Sequence, residues 1–259
     1  MVLSKCQTKH RMKRFTLLCH NAFWFQGSLF PTATPPAPDG EILERLCAIY
    51  RQVNPDIVCL QEVQDQGTFE MVSEHLEMPG CYCPGSKLPQ YGGAVLWHPH
   101  AARQIRNSQE FELTTQRMWQ AVEVREGDFC LRICNVHLPS GAQLGPERAA
   151  AQRMAELQDL IRIFQTELDM IVGDFNEQPG GSVSGFVESH GYVDAAVLSD
   201  RTWKPTSISE GRGDYAWIKK QTGHGGLTYD VAAKHELACD DAGKQYLSDH
   251  LPLWITLEY

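Results

Sequence analysis

Short apolar runs in this chain stop at acids, amides and imidazoles. The clearest is Met170-Ile171-Val172-Gly173-Asp174-Phe175-Asn176. Its apolar start reads as a buried β-strand. An acid and an amide then follow two residues apart, and in an extended backbone such residues share a face. Gly173 lets the chain turn and leaves room close to the main chain. Alone, Gly173 to Asn176 fits a plain turn equally well. The same ending recurs at Asn21, Glu62, His137 and Asp249-His250. Buried strands ending in polar residues on one rim make a polar pocket over an apolar core, where open α/β folds bind ligands.

The residue types on that rim suggest its chemistry. Glu62, Asp174 and Asp249 are carboxylates, and Asn21 and Asn176 add neutral oxygens. Clustered carboxylates repel unless a cation sits among them. All-oxygen ligation favours magnesium, manganese or calcium, whereas zinc asks for more cysteine or histidine. His137 and His250 can then act on phosphate or on water.

Composition narrows the setting. The chain has 259 residues, 42% of them hydrophobic, enough for an ample core. A net charge of −9 argues against broad electrostatic adhesion to nucleic acid, but not against a nuclease that grips phosphate through metal ions. Nine scattered cysteines match no zinc motif, and Cys47, Cys59, Cys130 and Cys134 lie in apolar runs as small core residues. Reduced thiols and an intracellular, cytoplasmic setting follow. No stretch is long enough to insert in a membrane. Residues 1–14 are polar and basic with no hydrophobic core, so they read as a flexible tail, with a targeting peptide as the alternative, rather than as a secretory signal. Residues 15–259 read as one domain.

In order, the run from Phe15 to Asn21 precedes a proline-rich loop. Asp39 caps a helix over 41–52, and a strand follows over 56–60. A helix over 68–76, an irregular stretch 81–91 and strands at 92–97, 109–113, 118–125 and 129–138 come next. Pro146 opens a long helix to about 165. After the Asp174 strand come a short helix over 182–190, a polar loop over 201–213 and strands at 214–218, 227–232 and 253–257. No internal sequence repeat is visible. The mixture points to two sheets packed together with helices outside, or to a mixed sheet with helices on both faces.

Six stretches in order carry a resemblance: Leu18 to Asn21, Leu60-Gln61-Glu62, Asn135 to Leu138, Gly173 to Asn176, Asp214 to Ile218 and Ser248 to Pro252. With these the chain resembles the endonuclease/exonuclease/phosphatase superfamily of metal-dependent phosphodiesterases. The resemblance implies a four-layer α/β sandwich, two mixed β-sheets face to face with helices outside. It also implies Mg2+, or Mn2+, as cofactor. Glu62 resembles the main metal ligand, aided by Asp249 and Asn21. Asp174 resembles the acid that orients water or aids the leaving oxygen, and Asn176 and His137 the residues that hold phosphate. His250 resembles the catalytic histidine, and Asp214 its orienting carboxylate. The substrate implied is a nucleotide or nucleic acid, with no obligatory protein partner.

Two branches share the likeness. Thr202-Trp203-Lys204 ahead of Asp214 to Trp217 resembles nocturnin and the deadenylases. Glu147-Arg148 and Gln152-Arg153 resemble the 5′-tyrosyl-DNA phosphodiesterases. Those enzymes carry an aspartate where this chain has Phe23, so one carboxylate contact is missing. Trp203, in a polar loop, is the best candidate to stack a base, while Trp24, Phe25, Trp119 and Trp217 suit packing better. Arg148 is a candidate phosphate contact, although a solvated helix face explains it equally well. A phospholipid or inositol head-group hydrolase and a catalytically silent binding module are the alternatives.

Overall fold

The structure, a computed structural model, describes all residues except 1–12, 29–34, 36, 99–101, 112–114, 166, 202–203, 221, 223–224 and 240–242. Strand β1 (Arg14–Asn21) leads through helix α1 (Gly40–Val53) into β2 (Ile57–Val63). Helix α2 (Gln66–Leu76) and strands β3 (Gly80–Cys83), β4 (Gly92–Trp97), β5 (Ala102–Asn107) and β6 (Met118–Glu126) follow. The second half runs β7 (Phe129–His137), α3 (Gly141–Leu144), α4 (Pro146–Phe164), β8 (Met170–Asp174), α5 (Ser182–Ser189), β9 (Tyr192–Asp194) and α6 (Ala195–Leu198). It ends with β10 (Asp214–Lys219), β11 (Gly226–Val231) and β12 (Leu253–Glu258).

The strands form two six-stranded sheets, ordered β11-β12-β1-β2-β4-β3 and β5-β6-β7-β8-β10-β9. Both orders share one pattern, a single parallel pair (β1 with β2, β7 with β8) flanked by antiparallel strands. The fold therefore repeats a topology with no matching sequence repeat. In each half a helical crossover joins the parallel strands, as parallel pairing requires. The C-terminal ends of β1, β2, β7 and β8 are Asn21, Val63, His137 and Asp174.

Two apolar clusters hold the layers. The larger joins the sheets' facing sides, through Leu17, Val122, Ile133 and Val172, and includes Leu43, Leu46 and Tyr50 of α1 on the other face of the first sheet. The smaller packs Trp119, Cys134 and Ile171 of the second sheet against Leu157, Leu160 and Phe164 of α4 and Val183 and Val187 of α5. Each fully buried side chain of this kind contributes roughly 1.5–3 kcal/mol. Helices thus cover the outside of two facing mixed sheets, the four-layer α/β sandwich that the resemblance implies. The Asp39 side chain caps α1, accepting from the amides of Glu41 at 3.0 Å and Ile42 at 3.2 Å.

Several local expectations need correction. Strand β3 runs into the stretch 81–91 read as irregular, and β5, α3, β9 and α6 were not foreseen. Of the strand expected over 109–113, residues 109–110 lie in a short 3-10 turn and residues 112–113 fall outside the described residues, while a strand runs ahead of them at Ala102–Asn107. Asn107 and Glu110 form a capping box around that turn, and the turn diverts the chain. Cys130 is exposed rather than core, because it lies near the outer turn of the β6–β7 hairpin. The eight described cysteines are all free, and no described helix is long and apolar enough to cross a membrane.

Candidate active site

The rim is built by a few backbone devices. Between Gln61 and Val63 the register of β2 against β4 slips, so Glu62 is a bulge residue, with φ of 55°. A bulge re-aims its side chain, and a left-handed glutamate is a strained conformation of the kind that gathers at functional sites. Gln61 instead points between the sheets, where its Nε2 donates to Asn135 Oδ1 at 2.6 Å. Asn135 in turn donates to the carbonyl of Leu60 at 2.9 Å, so a buried amide pair ties the sheets beneath the rim. At Gly173, φ is 141° and a Cβ would lie 1.9 Å from the carbonyl oxygen of Val136. Only glycine permits β8 to approach β7 so closely ahead of Asp174.

Asp174 is 1% exposed and collects donors. The Asn176 amide N–H donates to Oδ1 at 2.8 Å, and Nδ2 of Asn176 and of Asn21 donate to Oδ2 at 2.9 and 3.1 Å. Burial alone would raise its pKa, but His250 and His137 beside it hold the carboxyl well below the usual range. The side-chain Oδ1 of Asn21 accepts from Phe23 N–H at 3.0 Å, which turns its NH2 toward Asp174. Phe23, Trp24 and Phe25 all have positive φ, with values of 47°, 52° and 56°, a left-handed turn directly after Asn21.

His250 bridges two buried acids. Its Nδ1 donates to Asp214 Oδ2 at 2.9 Å, and its Nε2 lies 3.9 Å from Asp174 Oδ2. Antiparallel pairing sets Asp214 directly opposite Asp174. Burial would lower the His250 pKa, yet Asp214, Asp249 and Asp174 push it well above the ordinary 6.5, favouring imidazolium. The backbone of His250 is fixed from both sides. Its amide donates to Ser248 Oγ at 3.1 Å, and its carbonyl accepts from His20 Nε2 at 3.1 Å. That bond places the His20 proton on Nε2 and leaves Nδ1 to accept from Tyr50 Oη at 2.6 Å.

On the other side, His137 Nε2 lies 3.3 Å from Asp174 Oδ2 and 3.7 Å from Glu62 Oε1. Burial, then Arg117, lowers the His137 pKa to about 3, so the ring is neutral. Arg117 is 3% exposed and touches His137 Nε2. Its guanidinium lies 4.4 Å from the Tyr91 ring centroid, and Nη2 donates to Gln143 Oε1 at 3.4 Å. Arg117 and Tyr91 escape a reading of the strand endings, because an arginine ahead of a strand is ordinary. The hairpin register could have found Arg117, since pairing from the Gly127-Asp128 turn sets Met118 opposite His137.

The donor set also suits a cation. Glu62 Oε2 and Asp249 Oδ1 are buried with no hydrogen-bond partner among the described residues. Burial raises the Glu62 pKa from 4.5 to about 7, with Asp249 adding to the rise and Arg117 opposing it. Burial also raises that of Asp249. Asp174, Asp214 and His250 bring ligand atoms within 4.8 Å of one another, but there the imidazole already bridges the acids. The orphaned oxygens of Glu62 and Asp249 are the better fit for a metal ion.

The structure thus gathers Asn21, Glu62, His137, Asp174, Asn176, Asp214, Asp249 and His250 on one rim. It does not bring in Arg148, which is exposed on the first turn of α4. Arg153 is buried and structural, donating to the carbonyl of Pro139 at 3.0 Å. Trp203 lies outside the described residues. Trp24, Trp119 and Trp217 are buried, in keeping with packing. A cleft of about 540 Å³ opens beside Asp174, Asn176, Asp249 and His250.

An acidic rim whose buried oxygens lack partners among the described residues thus stands over two facing mixed sheets. The sequence matches the endonuclease/exonuclease/phosphatase family over residues 40–250, and the chain belongs to that family. Members are generally phosphoester hydrolases dependent on a divalent metal. No curated protein matches the sequence. Among solved structures, the human nocturnin catalytic domain with bound sulfate is 21% identical, with a TM-score of 0.65, and the match covers 94% of this chain and 93% of that one. A truncated Caenorhabditis elegans TDP2 is 18% identical, with a TM-score of 0.65, covering 95% and 98%. Danio rerio TDP2 complexed with a single-strand DNA product is 14% identical, with a TM-score of 0.66, covering 95% and 99%.

Proposed function

We propose that this protein is a magnesium-dependent phosphodiesterase that hydrolyses a nucleotide or nucleic-acid substrate. The observation that carries this reading is the His250 ring held between two buried aspartates, beside acids whose buried oxygens lack partners among the described residues. A silent binding module would bear the cost of these uncompensated buried charges for no return. Glu62 and Asp249 would hold the metal, with Asn21 behind them. A divalent ion there would offset charge building on a phosphoryl oxygen.

The chain's own residues perform the remaining tasks. Asp174, kept ionised, accepts a hydrogen bond from water and orients it for in-line attack. Asn176 holds Asp174 in place and, with neutral His137 and Arg117, faces the phosphate. His250 donates from Nε2 to a phosphoryl oxygen or passes its proton to the leaving oxygen. Asp214 fixes the tautomer and orientation of the ring, as the acid of a catalytic triad does. The likeness to a TDP2 complexed with a single-strand DNA product and the polar cleft favour nucleotides over lipid head groups. We read residues 15–259 as a single catalytic domain acting inside the cell without an obligatory protein partner. The free cysteines support this compartment.

A panel of poly(A), tyrosyl-DNA, abasic DNA, NADP and sphingomyelin tests the reading. Turnover of any of the first four, lost in His250→Ala, supports it. Turnover of sphingomyelin alone refutes it.

A further inference from the structure

Resting on the phosphodiesterase reading, we infer that the cleft beside His250 is a subsite for a second phosphate of the substrate, with Lys234 as its cationic contact. The substrate class is then an oligonucleotide or dinucleotide rather than a lone phosphate ester.

The cleft is too large for the reacting phosphate alone. Its volume of about 540 Å³ falls within the roughly 300–1,000 Å³ typical of sites that enclose a whole small molecule. It runs from Asp174 and His250 between the loop 205–211 and the segment around residues 234 and 245–246. Ser207, Ser209, Gln178 and Gln245 line it with hydroxyls and amides. Such walls hydrogen-bond sugars, bases and phosphates, and they repel acyl chains.

Among the described residues Lys234 is the only lysine or arginine on that lining, and it is held in place. Its Nζ donates to the carbonyl of Ile208 at 2.6 Å and lies 5.3 Å from the Tyr246 ring centroid. An ammonium has three N–H donors, so others remain for an incoming anion. The cleft also borders Asp174 and Asp249, and the whole chain carries −9. An anion drawn in beyond the reacting centre therefore needs a local positive charge, and Lys234 supplies it. Tyr246 presents a half-buried ring beside it, a surface on which a base or sugar can lie.

The bland alternative is that Lys234 only ties the loop 205–211 to its neighbour. The two readings differ in what they do to substrates of different size. The test measures kcat/KM for a 5′-phosphorylated thymidine dinucleotide and for bis-p-nitrophenyl phosphate, in the parent, Lys234→Gln and Lys234→Glu. The second substrate has no further phosphate. The expected result is a dinucleotide-to-ester ratio about tenfold lower in Lys234→Gln and lower again in Lys234→Glu, mainly through KM. The loss should shrink at high salt, because the lost contact is electrostatic. Using a ratio removes any change in the folded fraction. If the variants slow both substrates alike, or leave the ratio within twofold of the parent, the subsite is refuted while the phosphodiesterase reading stands. If the parent hydrolyses neither substrate with magnesium present, that reading falls and the subsite with it.

Discussion

Replacing Glu62 with glutamine should make the metal-free protein more stable, although it removes a residue assigned to the site. Glu62 is 6% exposed, and its Oε2 has no partner among the described residues. Burial moves its pKa from 4.5 to about 7, and that difference corresponds to about 3 kcal/mol against the ionised form. The folded state thus keeps the proton to higher pH than the unfolded chain does. The cost is absent below 4.5, grows as pH rises and is complete above about 7. Glutamine has the same shape and no charge to desolvate. In EDTA at pH 8 the variant should therefore gain about 3 kcal/mol at most, roughly 6–10 °C in Tm for a domain of this size. At pH 5 the two proteins should nearly coincide. Saturating magnesium should raise the Tm of the parent by mass action and leave that of Glu62→Gln almost unmoved. Scanning calorimetry in both buffers reads all of these values. A Glu62→Gln protein less stable than the parent at pH 8 in EDTA would show that this carboxylate is already satisfied, and the cation-site argument would fail.

Three further outcomes follow from the same geometry. Asp214→Asn should lower turnover by orders of magnitude, His250→Ala at least as far, and the double variant little further, because paired residues act as a unit. Multiplicative losses in that cycle would separate the two. Arg117→Lys should cut kcat/KM more than tenfold, since lysine cannot reproduce a planar fork set over Tyr91 and against Gln143. An unchanged kcat/KM would remove Arg117 from the site. Glu156, buried under Arg117 with its pKa raised by burial to about 7, accepts from the amide of Gln116 at 2.9 Å and from Gln152 Nε2 at 3.1 Å. Glu156→Gln keeps that acceptor, so its stability relative to the parent should improve from pH 5 to pH 8 by roughly 1–3 kcal/mol, and chemical denaturation showing no such trend would contradict this.

The parts of the site legible in the sequence were those written along single strands. Asp174 and Asn176 follow an apolar run directly, and His137 ends another, so the rim could be read as a row of endings. The amphipathic stripe of α1 and its Asp39 cap were equally local. What escaped depends on register and on edges. Arg117 joins His137 only through hairpin pairing, and the bulge that aims Glu62, itself legible as a strand ending, is written in no local pattern. Strands β3, β5 and β9 lie at sheet edges, where pairing on one side weakens the apolar alternation. The Asp214–His250 pair, thirty-six residues apart, came from the family likeness and not from any local pattern. The repeated topology left no trace in sequence because the two halves share a strand order and not side chains.

On the proposed function, phosphodiester hydrolysis should depend on a divalent cation held at Glu62 and Asp249. Hydrolysis of bis-p-nitrophenyl phosphate by metal-stripped protein, titrated with magnesium, tests it most directly, with Glu62→Gln run in parallel. Turnover should be absent in EDTA, recover saturably with magnesium or manganese, and recover little in the variant. Full activity of the parent in EDTA, or parent-like magnesium activation of Glu62→Gln, would contradict this dependence.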